Sequence, residues 1–252
     1  MEEKKLYCAG GTVALRYAGE YLRDFCVPLA RQAGQDVGAV LLDVPSFGPD
    51  RKLRMGGSIE NLLVQLPPDI LICGGNLEHP ALDGYRKVDF LKDEGYLAQN
   101  AYITAECALE IALSYLPVTM RSCPVLVIGW GRIGKCLGRI LQSMGADVTV
   151  AARKETDRAM CSALGCRAVD TAGMAEHLHK YRLILNTVPV KLLSGEQMAE
   201  CHPDCVKIDL ASKPGMEGES VIVARGLPGI HMPESSGRLI AETFVRLCGE
   251  EW

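Results

Sequence analysis

Apolar residues along the chain fall into two patterns, short unbroken runs and longer stretches where they recur every three or four positions. The runs at 4–9, 39–44 and 69–73 are short and flanked by turn residues, Gly10-Gly11 after the first and Gly74-Gly75-Asn76 after the third, so they predict buried strands. Between the first two, residues 12–33 predict a helix with Leu15, Ala18, Leu22, Phe25 and Cys26 on its apolar side. A second helix is predicted over 100–117, where Ala108, Ile111, Ala112 and Tyr115 share a face and Pro117 ends it. From Pro124 the rhythm restarts, with a strand at 125–128, a helix at 132–144 and a strand at 147–152. That helix carries Ile133, Leu137, Ile140, Leu141 and Met144 on one stripe. Short strands follow at 166–169, 183–186, 206–210 and 221–224, then a last helix near 236–248 with Leu239, Ile240, Phe244 and Leu247 apolar. Strand–helix–strand alternation predicts parallel sheets. The expected fold class is α/β, with two Rossmann-like, doubly wound parallel-sheet domains. No repeat of 20–50 residues and no low-complexity tract interrupts this order.

Composition narrows the partners more than the fold. A chain of 252 residues, 48% hydrophobic and 23% charged, can bury a sizeable core as one large domain or two small ones. A net charge of -4 and a pI near 5.8 give no reason to expect nucleic acid. They are compatible with a small anionic substrate, because local fields outweigh the total. No run reaches 18 apolar residues, so no membrane span is expected. The opening Met1-Glu2-Glu3-Lys4-Lys5 lacks a targeting pattern, and eleven scattered cysteines read as reduced thiols, so a cytoplasmic location is expected.

The candidate chemistry centres on Gly129-Trp130-Gly131-Arg132-Ile133-Gly134. A GxGxxG is weak alone, but this one directly follows an apolar strand and opens an amphipathic helix, where its mechanics require it. Gly129 permits the tight turn, Gly131 lets the backbone approach a pyrophosphate, and Gly134 lets helix and strand pack closely. Arg132 and Ile133 start the helix, whose N–H groups face the phosphates. The next strand ends in Ala151-Ala152-Arg153-Lys154, with two cations where NAD-selective sites place a carboxylate. Arg153 and Lys154 therefore favour NADP over NAD, Arg153 by stacking on adenine and pairing with the 2′-phosphate. Later strand ends should line the nicotinamide: Asn186, Thr187, Val188 and Pro189, then Asp209 and Ala211. The expected boundaries are an N-terminal substrate-side α/β domain at 1–99, a linker helix at 100–120 and an NADP-binding Rossmann domain at 121–234. A C-terminal helix at 235–252 is expected to pack back toward the first domain.

Three segments go beyond general Rossmann features. They are Ile208-Asp209-Leu210-Ala211-Ser212-Lys213-Pro214-Gly215, Ala224-Arg225-Gly226-Leu227-Pro228-Gly229-Ile230, and His231-Met232-Pro233-Glu234-Ser235-Ser236-Gly237. With residues 125–153 and the Asn186-Thr187-Val188-Pro189 segment, they make the chain resemble the dipicolinate synthase A-subunit family, well from Asn100 onward and weakly over 1–99. The resemblance implies NADP-linked oxidation of a dihydropyridine dicarboxylate to aromatic dipicolinate during sporulation. It also implies the architecture of D-2-hydroxyacid dehydrogenases and, as partner, the flavoprotein-like B subunit of dipicolinate synthase. A homo-oligomer is compatible with it.

Oxidising a dicarboxylate to an aromatic product asks mainly for positioning. Ser212 and Lys213, beside the Asp209 strand end, are candidates to meet the carboxylates, as are Ser235 and Ser236 at a predicted helix start and Asn100 and Thr104 on the linker helix. Helix capping explains Ser235, Ser236 and Thr104 equally well. His231, in a predicted loop, and Glu106, in the predicted first turn of the linker helix, are candidate proton carriers. Cys201-His202-Pro203-Asp204-Cys205 lacks a second ligand pair, so no metal is expected. The alternatives are another NADP-dependent dehydrogenase and a non-catalytic nucleotide-sensing subunit.

Overall fold

A computed structural model describes residues 4–249 and divides the chain into two compact units. The first combines residues up to Asn100 with those from Pro228 onward, and the second runs from Ala101 to Leu227.

In the first unit, strands β1 (Lys5–Ala9), β2 (Val37–Leu42), β3 (Leu71–Gly74) and β4 (Arg86–Asp89) form a parallel sheet in that order. Helix α1 (Val13–Asp24) follows β1, and α2 (Ile59–Leu63) lies between β2 and β3. The predicted helix over 12–33 stops at Asp24, because Cys26 takes φ +59 and turns the chain outward. The released segment reaches β1's free edge, where Leu29 bridges Leu6: Leu6 N–H donates to Pro28 O and Ala30 N–H to Leu6 O, both at 2.8 Å. The chain thus visits one side of β1 before returning to β2 on the other, which makes the unit doubly wound in outline. One sheet face carries Ala9, Val40, Leu42 and Ile72 into a core with Ile59 and Leu62 of α2. On the other face Gly19 of α1 lies over Cys8, while α1 packs on α8 (Pro233–Cys248). Gly237 makes that helix pair possible, since a Cβ there would lie 2.4 Å from Ala14 O and 2.8 Å from Ala18 N. The Cys248 sulfur reaches within 3.5 Å of that of Cys73 in β3.

Helix α3 (Glu94–Tyr115) starts six residues before its predicted position at 100. Asp93 sets that start: its carboxylate accepts from Tyr96 N–H at 2.7 Å and pairs with Arg246 of α8. β4 was not foreseen, because Arg86-Lys87-Val88-Asp89 is a polar edge strand without an apolar signal.

The second unit holds β5 (Pro124–Ile128), α4 (Arg132–Ser143), β6 (Asp147–Ala151), α5 (Glu155–Ala163), β7 (Arg167–Val169), β8 (Leu183–Asn186), α6 (Gly195–Ala199), β9 (Val206–Asp209) and β10 (Val221–Val223). All pairs are parallel, in the order β10-β9-β8-β5-β6-β7. The chain builds outward from β5 through β7, then jumps back to lay β8 against β5's other edge. This is the doubly wound order of dinucleotide-binding domains, with its topological switch point at the carboxyl ends of β5 and β8. Val125–Ile128 and Leu183–Leu185 are completely buried, as central parallel strands covered on both faces must be. Helix α7 (Leu227–His231) precedes α8. The architecture is therefore α/β with two parallel sheets, as the apolar pattern predicts.

A candidate dinucleotide site at the switch point of the second unit

Strand β5 runs into the turn Gly129-Trp130-Gly131, and α4 begins at Arg132. Gly129 has φ +102, and its N–H donates to Ala151 O at 2.9 Å. A Cβ on Gly129 would lie 2.5 Å from Thr187 Oγ1, and one on Gly134 only 2.2 Å from Gly129 O. Those two glycines are needed for the protein's own packing. Gly131 differs, because a Cβ there meets nothing within 4 Å. Gly131 and Arg132 are exposed, Ile133 is half-buried, and no side chain caps α4. The turn therefore opens an uncovered, positively polarised helix end to an anion, and the residues fit a dinucleotide's pyrophosphate.

The first unit offers an instructive contrast. Its β1 also ends in glycines, Gly10-Gly11, before a helix. There Asp43, buried at the end of β2, accepts from Gly11 N–H at 3.0 Å, from Thr12 N–H at 3.2 Å and from the Thr12 hydroxyl. The protein's own carboxylate fills the place that a phosphate would take. The turn after β5 has no such side-chain cap.

Thr187, after β8, holds the glycine turn from behind, its Oγ1 and N–H both donating to Ile128 O at 2.9 Å. Asn186 and Asp209 end β8 and β9, but their side chains are buried within the loops. Asn186 Nδ2 donates to Val188 O at 3.1 Å and to Asp209 Oδ1 at 3.0 Å, while its Oδ1 accepts from Val188 N–H at 3.0 Å. Asp209 also accepts from the N–H groups of Ala211, Gly215 and Met216 at 3.0, 2.7 and 3.1 Å. These two side chains shape the loops carrying Val188, exposed Pro189, buried Ala211 and exposed Ser212 and Lys213.

Arg153 and Lys154 are exposed just beyond β6. Sequence reasoning passed over Arg158, one turn into α5. Its Nη1 donates to Ala152 O and Arg153 O at 2.8 Å and to Asp170 at 2.6 Å, fixing the loop that presents both cations. The available signal was an arginine placed to face back from the first turns of the helix after that strand. Asp43 was likewise passed over, because an acid after a strand does not reveal which backbone it caps.

The remaining candidates divide between the units. Ser212, Lys213, Glu106 and Thr104 belong to the second, and His231, Ser235, Ser236 and Asn100 to the first. Glu106 is half-buried in the middle of α3 rather than in its first turn, because Asp93 starts that helix early. His231 is an exposed residue closing α7 rather than a loop residue. Ser235 and Ser236 lie inside the first turn of α8, which Pro233 opens and Met232 precedes, so neither caps it. In the Cys201–Cys205 segment the Cys205 thiol donates to Val206 O at 3.7 Å, and the interaction of the two neighbouring sulfurs lowers Cys201 while, with burial, it raises Cys205.

No family model matches the chain. It is 29% identical over 188 residues to the A subunit of dipicolinate synthase from Bacillus subtilis (strain 168), a match covering 71% of this chain and 63% of that protein. The crystal structure of the dipicolinate synthase A subunit from Bacillus halodurans superposes with TM-score 0.84 at 22% identity, covering 97% of each chain. A transhydrogenase from Sinorhizobium meliloti superposes with TM-score 0.72 at 15% identity, over 96% of this chain and 92% of that one. The likeness in fold thus includes the first unit, where the sequence resemblance is weak. Among the described residues, no helix is long and apolar enough to cross a membrane. In sequence the chain is similar to the A subunit of dipicolinate synthase, and in fold it is a two-unit, Rossmann-type α/β protein of the kind that the solved structures of that subunit show.

Proposed function

We propose that the chain is an oxidoreductase of the dipicolinate synthase type, equivalent to that enzyme's A subunit, taking a dihydropyridine dicarboxylate to its aromatic product with NADP. The observation that carries the proposal is the open Gly131 turn at the β5 switch point, in a chain whose sequence matches a dipicolinate synthase subunit. A bound nicotinamide would supply a hydride acceptor. The protein's part is to hold and orient. The N-terminus of α4 receives the pyrophosphate, and Gly131 lets it come close. Arg153 and Lys154 meet the 2′-phosphate, on a loop that Arg158 fixes. Val188, Pro189 and Ala211 line the nicotinamide end on loops locked by the Asn186–Asp209 pair. Ser212 and Lys213 offer a hydroxyl and a cation to a substrate carboxylate, and His231 and Glu106 are the candidate proton carriers. A partnership with the synthase's B subunit, in the cytoplasm, completes the proposal and rests on the likeness in sequence.

Titrating the purified chain with NADP and NAD, then adding the lysine-pathway dihydrodipicolinate precursor and following NADPH absorbance, tests it. Preferential NADP binding with NADPH formation is the expected result. Binding without turnover, with the B subunit present, would make the chain a nucleotide-sensing subunit. Failure to bind either nucleotide would make the glycine turn purely structural.

A further inference from the structure

The first unit contains a hollow of about 520 Å³ beside the free edge of β1, between α1 and the segment that bridges at Leu29. Ligand pockets commonly span roughly 300–1,000 Å³. Cys8 and Gly19 lie in its floor, and Tyr7 brings a phenol to its lining. Three arginines line it: Arg16 and Arg23 from α1, and Arg31 just past the bridge. Arg16 is already balanced, donating to Glu20 at 2.9 Å and stacking over Tyr17 at 4.5 Å. The side chains of Arg23 and Arg31 have no hydrogen-bond or ion-pair partner among the described residues. Burial pushes the Cys8 thiol up to about 11, and the positive charge of Arg23 opposes it. Glu20 also lines the hollow but is taken up by Arg16, so exposed Arg23 and Arg31 leave two guanidinium charges on its lining for a counter-charge to join. Guanidinium forks match the geometry of carboxylates and phosphates, so the complement is a compact oxyanion with two negative charges.

We infer that the hollow between α1 and the Leu29 edge is a binding site for a small doubly charged oxyanion, a dicarboxylate or a phosphate, held by Arg23 and Arg31. None of its residues belongs to the glycine turn of the second unit, so the site does not depend on nucleotide binding there. A dianion bridging two guanidinium groups would also tie α1 to the segment after the Leu29 bridge.

Calorimetric titration of the full chain at low ionic strength, with sodium phosphate and separately with glutarate, tests this. Saturable binding of at least one anion is expected, with the stronger of the two identifying the ligand class. R23A/R31A should weaken that binding about tenfold or more, while R153A leaves it unchanged. NADP affinity of R23A/R31A should match that of the parent chain. Amide shifts mapped by NMR give the location without any substitution, and they should centre on Cys8, Gly19 and Arg31. The inference is overturned by an absence of saturable binding to about 10 mM of either anion, by binding that survives in R23A/R31A, or by shifts that centre on Gly131 and Arg132.

Discussion

Gly131 and Gly134 stand on the same turn, yet a methyl group added to each meets opposite surroundings. At Gly131 it points into open space, and at Gly134 it would sit 2.2 Å from a backbone carbonyl. Gly131→Val should therefore fold with nearly unchanged thermal stability and fail to bind NADP, because the isopropyl group occupies the pyrophosphate's place. Gly134→Ala should instead lose about 1–3 kcal/mol of stability in urea titration. Equal losses of stability in the two variants would show that the turn serves packing alone. Arg153→Ala should weaken NADP by about tenfold or more, worth ~1.4 kcal/mol, with little change for NAD. Comparable losses for both nucleotides would remove Arg153 as the 2′-phosphate contact. The glycines were legible in sequence because their spacing after a strand has few other uses. Asn186 and Asp209 were legible as strand-end polar residues, but not as a mutually bonded buried pair, since which polar group faces inward depends on contacts between β8 and β9.

At the scale of elements, apolar patterning located β5, α4, β6, β8 and β9 closely, because each is a buried strand or a helix with one clear stripe. It misjudged elements whose limits depend on single polar contacts or backbone turns. The end of α1 follows from the positive φ of Cys26, and the start of α3 from Asp93. Asp93 also makes the helix start sensitive to pH. The Arg246 guanidinium and the Tyr96 N–H hold its carboxyl below the ordinary aspartate range. A carboxylate lowered in the folded state adds stability above its unfolded value, and that stability is lost as pH falls through the lowered folded value. Asp93→Asn should thus be less stable than the parent chain at neutral pH, and the gap in urea midpoint should close toward acid. A gap that stays constant down to strongly acid conditions would show that the Asp93–Arg246 pair contributes nothing through its charge.

For the whole molecule, the two units are unequal in how the chain builds them. The second is one continuous stretch, while the first borrows α8 from beyond it. Gly237 is the point of closest approach between α1 and α8. Gly237→Leu should separate those helices and cost about 2–3 kcal/mol. Hydrogen exchange should report faster exchange across β1–β4 with protection across β5–β10 retained, and NADP affinity should stay within about twofold. Loss of protection in both units together would mean that the molecule unfolds as one cooperative body.

The borrowed helix also sets an order of events during synthesis. Domains generally fold as their chain emerges from the ribosome, the N-terminal one first. Here the earlier segment waits longer: Ala14, Tyr17 and Ala18 of α1, which meet Gly237 of α8, lack that partner until residues 101–227 have all been translated. The second unit can close while its predecessor in the chain is still incomplete. A nascent chain stalled after Leu227 should therefore present a finished second unit joined to an exposed apolar helix, the kind of surface that chaperones hold.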